Sequence, residues 1–141
     1  MIRLDRGQVL AFYAVLLPVV LLPLAAYAVD AAFVSTQAAE LQAATAQAAE
    51  AAAQQVDVGA LRSRSVLIVD SLGAGVMATR EMRDSEPGAI VDSVVVVGSR
   101  VTITTREAVV LPFNFLPAPA IVIHARASAR LVGGYDSPSS R

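Results

Sequence analysis

Hydrophobic side chains fill the first part of the chain and then change their spacing twice. Residues 9–29 contain no charged side chain. As a helix, these 21 residues would extend roughly 31 Å, the thickness of a hydrocarbon core. Arg3 and Arg6 precede the run and no basic residue follows it before Arg62. This bias predicts a cytoplasmic leader, residues 1–8, a membrane-spanning helix, residues 9–29, and an exported remainder.

The same N-terminus has a second interpretation. Ala26-Tyr27-Ala28 has the small-residue spacing of a signal-peptidase site, with cleavage before Val29. That alternative would make the chain a secreted or membrane-tethered binding module without catalytic activity. The apolar run before the site is longer than a usual signal core, which favours a retained anchor.

Residues 30–56, the stem, predict a helix that continues the apolar run without a break. The stem has no Gly or Pro and nearly half of it is Ala, so it is rich in strong helix formers. A stripe of small residues recurs at spacings of four and three. Its members are Val34, Ala38, Leu41, Thr45, Ala48 and Ala52. Two interpretations stay open: the stripe packs against other subunits, or the helix lies on its own domain.

The segment after the stem predicts a second, shorter helix. Asp57 is a candidate cap, and a helix over residues 61–83 would place its apolar positions partly at helical spacing. Those positions are Leu61, Val69, Leu72 and Val76. The run VLIVD within this segment is also compatible with a short strand, and DSEPG after it has the composition of a loop.

From Ala89 the hydrophobic period becomes two, which predicts strands. IVDSVVVV and VTITT flank a turn at Gly98-Ser99-Arg100 and predict a β-hairpin. IVIHARASARL alternates apolar and polar side chains and predicts a strand with one packed and one solvated face. Three prolines make the intervening VVLPFNFLPAPA a loop or an edge excursion. The predicted fold is therefore α+β, with an exported domain over residues 57–131 and a flexible tail over 132–141.

Composition and motifs predict no catalytic, metal or cofactor site. The chain has no cysteine, and its single histidine, His124, lies on the polar face of a predicted strand with no nucleophile placed beside it. The acids lack metal-loop spacing, and Gly73-Ala74-Gly75 has no phosphate-loop context. With a net charge of −1 and no aromatics among its arginines, the chain is not expected to bind nucleic acid.

The order of several motifs resembles the TadE/TadG-like group of Tad pilus proteins, which are pseudopilins and minor pilins. The motifs are Arg6-Gly7-Gln8, Leu16-Leu17-Pro18, Val29-Asp30 and Leu41-Gln42-Ala43-Ala44. The valine-rich hairpin, the proline-aromatic loop and the final alternating strand also follow the group's order. The resemblance implies a pilin-like architecture and a structural role in a Tad or type IV-related filament.

The resemblance also implies processing and partners. Processed members are cut by a prepilin peptidase after the glycine, which here lies between Gly7 and Gln8. They usually carry glutamate at the fifth position after the cut, where this chain has Phe12, so it is closer to the TadG-like branch. The implied partners are the membrane, further copies or sister subunits, the peptidase and the Tad secretion machinery.

Overall fold

The computed structural model describes residues 6–64, 66–113 and 120–131. The predicted tail, 132–141, and residues 1–5 of the predicted leader lie outside the described residues. The elements follow the predicted α+β order, with a long N-terminal helix, short helices and then an antiparallel sheet. They are α1 (Arg6–Ala53), α2 (Val58–Arg64), α3 (Ser71–Ser85), β1 (Ile90–Val97), β2 (Arg100–Val109) and β3 (Ile121–Arg130).

Helix α1 is continuous through the apolar run and most of the stem, as the sequence predicts. Pro18 and Pro23 lie inside the helix, where each removes one backbone donor. The helix ends at Ala53, shortly before the predicted boundary. After Ala53 the chain turns, and the Gln55 N–H donates to the Ala52 carbonyl. The next residue, Val56, forms an antiparallel bridge with Val69, which is incompatible with a continuing helix.

The predicted single helix over residues 61–83 is wrong, since two helices with an extended segment between them occupy this region. Asp57 is a cap, as expected: its Oδ1 accepts from the Ala60 N–H at 2.9 Å. A second cap follows at Asp70, whose carboxylate accepts from the N–H groups of Leu72 and Gly73. The preceding VLIVD is not helical, and it forms a single antiparallel bridge, Val69 with Val56, in place of the short strand of the alternative interpretation.

Helix α3 buries a different face from the predicted one. Ala74, Ala78 and Met82 are buried, and α3 packs on β1. Leu72 and Val76, expected on the packed face, are 82% and 72% exposed. Small side chains at the contact let the helix backbone approach the strand closely, and the larger apolar side chains two positions away, Leu72 and Val76, are left in solvent.

The sheet has the order β1-β2-β3, and its hairpin confirms the predicted one. Val97 pairs with Arg100 across a two-residue turn. Gly98 begins this turn at φ +61, a conformation that glycine adopts without steric cost. Strand β3 has the predicted alternation: Ile123 and Ala125 are buried, and the polar side chains between and after them are exposed.

The chain divides into two compact units. Among the described residues, unit 1 contains the chain up to Thr36 together with 109–121, and unit 2 contains 37–108 together with 122–131. The stem from Gln37 onward therefore belongs to the same unit as the sheet. The core of unit 2 includes Leu41 and Thr45 from the stem and Ile103 and Thr105 from β2.

Candidate membrane and assembly segments

The apolar run at the start of α1 is exposed over most of its length in unit 1, with Ala26 buried. Leu10, Leu22 and Val15 are each more than two-thirds exposed. Among the described residues there is one helix, α1, that is long and apolar enough to cross a membrane. Only the length and the composition of α1 indicate a membrane span, and a signal sequence has the same length and composition.

The predicted processing site lies at the very start of α1. Arg6, Gly7 and Gln8 have helical backbone, and Arg3 lies outside the described residues. Phe12 and Tyr13 follow on the exposed part of the helix, with ring centroids 6.2 Å apart in an edge-to-face arrangement. Phe12, the fifth residue after Gly7, is thus an exposed aromatic side chain.

Asp30, the residue that ends the apolar run, binds a distant backbone group. It is 5% exposed, and its Oδ1 accepts from the Phe113 N–H at 3.1 Å. A buried carboxylate needs such a donor, because an unpaired charge away from water is costly. Sequence reasoning placed Asp30 as a boundary marker and missed this role, because no periodicity connects two residues 83 positions apart.

The predicted stem stripe is mostly covered by its own chain. Leu41, Thr45, Ala48 and Ala52 have no exposed surface, and Val34 and Ala38 are half-buried. Of the two interpretations left open by the sequence, the helix lying on its own domain applies to the four fully buried residues.

Polar contacts attach the stem to the sheet within unit 2. The Thr45 hydroxyl is 2.7 Å from the Leu41 carbonyl and 2.6 Å from the Thr105 hydroxyl. Since Thr45 donates its only proton to the carbonyl, Thr105 is the donor between the two hydroxyls. The Gln42 side chain also donates to the Arg126 carbonyl at 3.1 Å, which connects the stem to β3.

Two neighbouring carboxylates affect Glu107 on β2. Burial raises the pKa of the Glu107 carboxyl, and the charges of Glu86 and Glu40 raise that pKa further. The Glu107 Oε2 is buried without a hydrogen-bond partner among the described residues. A Cβ added at Gly88 would lie 2.9 Å from the Glu107 Oε1, so glycine makes room for this side chain.

The described residues contain no group of three or more His, Cys, Asp or Glu side chains that could hold a metal ion. His124 is exposed on β3, and Asp57 and Asp70 are occupied as helix caps. Comparisons with protein-family models, with curated proteins and with solved structures found no match. The resemblance to Tad pilus proteins therefore stays an expectation from the order of the sequence motifs.

Proposed function

We propose that this chain is a structural, pilin-like subunit or assembly component of a Tad or type IV-related surface filament. Before assembly it is a single-span membrane protein with a cytoplasmic N-terminus and an exported sheet. It has no catalytic role and binds no cofactor. Its partners are further copies or sister subunits, the membrane, the prepilin peptidase and the Tad secretion machinery.

One observation supports this proposal above the others. A single helix, α1, contains both the exposed apolar run and the stem, whose buried face packs against the sheet. A cleavable signal is discarded without loss to the mature fold. Here Ala26, just before the alternative cleavage point, and Asp30, just after it, are both buried in unit 1. Cleavage before Val29 would remove the first of these and leave the second at a new chain end.

Because the stem stripe is buried by its own chain, contacts with other subunits are expected at other surfaces. Exposed large hydrophobic side chains remain along the apolar run and, in unit 2, on α3 at Leu72 and Val76. These two lie one helical turn apart and so form one small apolar surface. We assign subunit contacts to these two places, because clustered exposed hydrophobic side chains are typical of interaction sites.

The N-terminus of the cellular protein tests the proposal first. Intact mass and N-terminal sequence are measured on protein from the membrane and from sheared surface material. A start at Gln8 in the sheared fraction is the result expected for a filament subunit, and a start at Met1 confined to the membrane indicates an assembly component. A soluble species starting at Val29 would overturn the proposal in favour of a secreted module.

A paired substitution tests the contact assigned to α3. L72D/V76D places two charges on the exposed surface, so we expect an unchanged melting temperature of the purified protein and reduced incorporation into filaments. Q47D/S63D is the matched control, because it adds the same two charges at exposed polar positions that do not lie on this surface. Equal incorporation of wild-type protein and L72D/V76D would contradict the assignment.

A further inference from the structure

The face of the sheet that points away from the stem collects positive charge. Exposed side chains from β2 and β3 alternate with the buried ones and therefore share this outer face. Four exposed arginines lie on it with His124: Arg100, Arg106, Arg126 and Arg130. The acidic residue among them is Asp92 on β1, which forms an ion pair with Arg106 at 3.1 Å.

Strand register brings two of the remaining arginines directly opposite each other. The Leu131 N–H donates to the Ser99 carbonyl at 2.8 Å, and the Thr102 and Ser128 hydroxyls are 2.9 Å apart. These two contacts set an antiparallel register in which Arg100 faces Arg130. Like charges in opposed positions destabilise a sheet, so the Arg100–Arg130 pair does not stabilise the fold.

An open groove of about 510 Å³ lies among these side chains. Arg100, Arg126 and Arg130 line it with the hydroxyl of Thr102 and the apolar side chains of Val95 and Val97. None of the three arginines forms a salt bridge with a described carboxylate. The groove therefore offers three guanidinium groups, a hydroxyl and an apolar wall to an outside ligand.

We propose that this groove binds an acidic polysaccharide whose sugars carry carboxylates. Guanidinium groups bind carboxylates through paired hydrogen bonds, which suits planar uronate groups. The Thr102 hydroxyl complements sugar hydroxyls, and the exposed Val95 and Val97 complement the apolar faces of sugar rings. This partner goes beyond the filament role, and the binding does not depend on assembly.

Two other occupants fit the described surface less well. A second copy would need an acidic face. In the group formed by Glu40, Glu86 and Glu107, Glu40 alone is exposed, and it already accepts from Gln37. Asp84 and Asp92 are paired with Arg80 and Arg106. Nucleic acid would need aromatic side chains for base stacking or a longer track of cations for phosphates. The described residues of this face have no aromatic side chain.

The test measures binding of the full-length protein, in neutral detergent and physiological salt, to polygalacturonate. Highly methyl-esterified polygalacturonate, in which the carboxylates are blocked, is the matched probe. We expect binding to the free acid and at least about tenfold weaker binding to the ester. Duplex DNA and anionic phospholipid vesicles serve as polyanions of other kinds, and we expect both to bind more weakly than polygalacturonate.

Variants locate the binding on the sheet. R100Q/R126Q/R130Q should lose at least about tenfold in affinity without a lower melting temperature, since it removes like-charge repulsion. R62Q/R80Q/R83Q makes the same charge change at three exposed helix arginines and should bind normally. Equal loss in both variants, tighter binding to DNA or vesicles, or salt-sensitive self-association without polysaccharide binding would each overturn the proposal.

Discussion

At the residue scale, two buried threonines connect the stem to the sheet with a defined direction of donation. Thr45 uses its proton on the Leu41 carbonyl and accepts from Thr105, and both side chains are fully buried. The sequence contained Thr45 within an apolar stripe but gave no reason for a hydroxyl there. That reason is a partner 60 residues away, which no local pattern reports.

The threonine pair predicts an asymmetric set of stabilities. T45V leaves the Thr105 hydroxyl buried without an acceptor and should lower the free energy of unfolding by about 1–3 kcal/mol. T105V removes only an accepted bond from Thr45 and should cost less. T45V/T105V should be more stable than T45V alone, because no hydroxyl is left unpaired. Denaturant unfolding of the four proteins tests this order, and equal, additive effects would contradict it.

Glu107 predicts a pH-dependent stability. Its raised pKa means that the folded state binds a proton more tightly than the unfolded chain does. The contribution of Glu107 to stability is therefore full below the ordinary pKa of about 4.5 and is lost as the pH rises through the folded-state pKa. E107Q should melt higher than wild-type protein at pH 7, and the difference should shrink towards pH 4.

The matched control for E107Q is E50Q, because Glu50 is an exposed carboxylate on the same unit. Thermal melts of wild-type protein, E107Q and E50Q at pH 4 and pH 7 separate the local effect from the loss of one negative charge. An equal gain from both substitutions would mean that net charge, and not the surroundings of Glu107, sets the pH response.

At the scale of elements, the sequence predicted the helices and strands whose hydrophobic pattern is either long or strictly periodic. Helix α1 follows from a stretch without breakers apart from two prolines, and β3 follows from ten residues that alternate without a fault. Residues 57–85 were harder, because their apolar spacing fits one helix while the caps at Asp57 and Asp70 define two. The exposed face of α3 also depends on which side β1 covers, which the helical period alone cannot specify.

The stem predicts a position-dependent response to charge. Ala48 is fully buried, so A48R forces a long charged side chain into a packed contact and should lower the free energy of unfolding by about 3 kcal/mol or more. Ala43 is exposed on the same helix, and A43R should leave the melting temperature nearly unchanged. Equal melting of the two variants would mean that the stem does not pack on the sheet.

At the scale of the whole molecule, the division of the chain into units differs from the divisions visible in the sequence. Composition separates an Ala-rich stem from a domain over 57–131, whereas unit 2 begins at Gln37 and contains most of both. The sequence cannot make this assignment, because an alanine stripe looks the same whether a partner subunit or its own sheet covers it. The candidate contacts on α3 and the arginine groove were missed for a related reason: both depend on which faces are left uncovered.

Truncation tests this division. A chain that starts at Val29 retains all of unit 2 and should give a cooperative thermal transition. A chain that starts at Val58 lacks the buried stem residues, including Leu41 and Thr45, and should give no cooperative transition and expose apolar surface to a hydrophobic dye. Cooperative unfolding of the shorter chain would mean that the sheet and the short helices form a sufficient core without the stem.

The bonds between the stem and the sheet also determine when the fold can form during synthesis. Thr105 is synthesised 60 residues after Thr45, and Arg126 is synthesised 84 residues after Gln42. The ribosome therefore finishes the helix long before it makes the strands that cover it, and contacts so distant in sequence close slowly. For that interval the strands that cover the alanine face do not yet exist, so this face is open to any other apolar surface nearby.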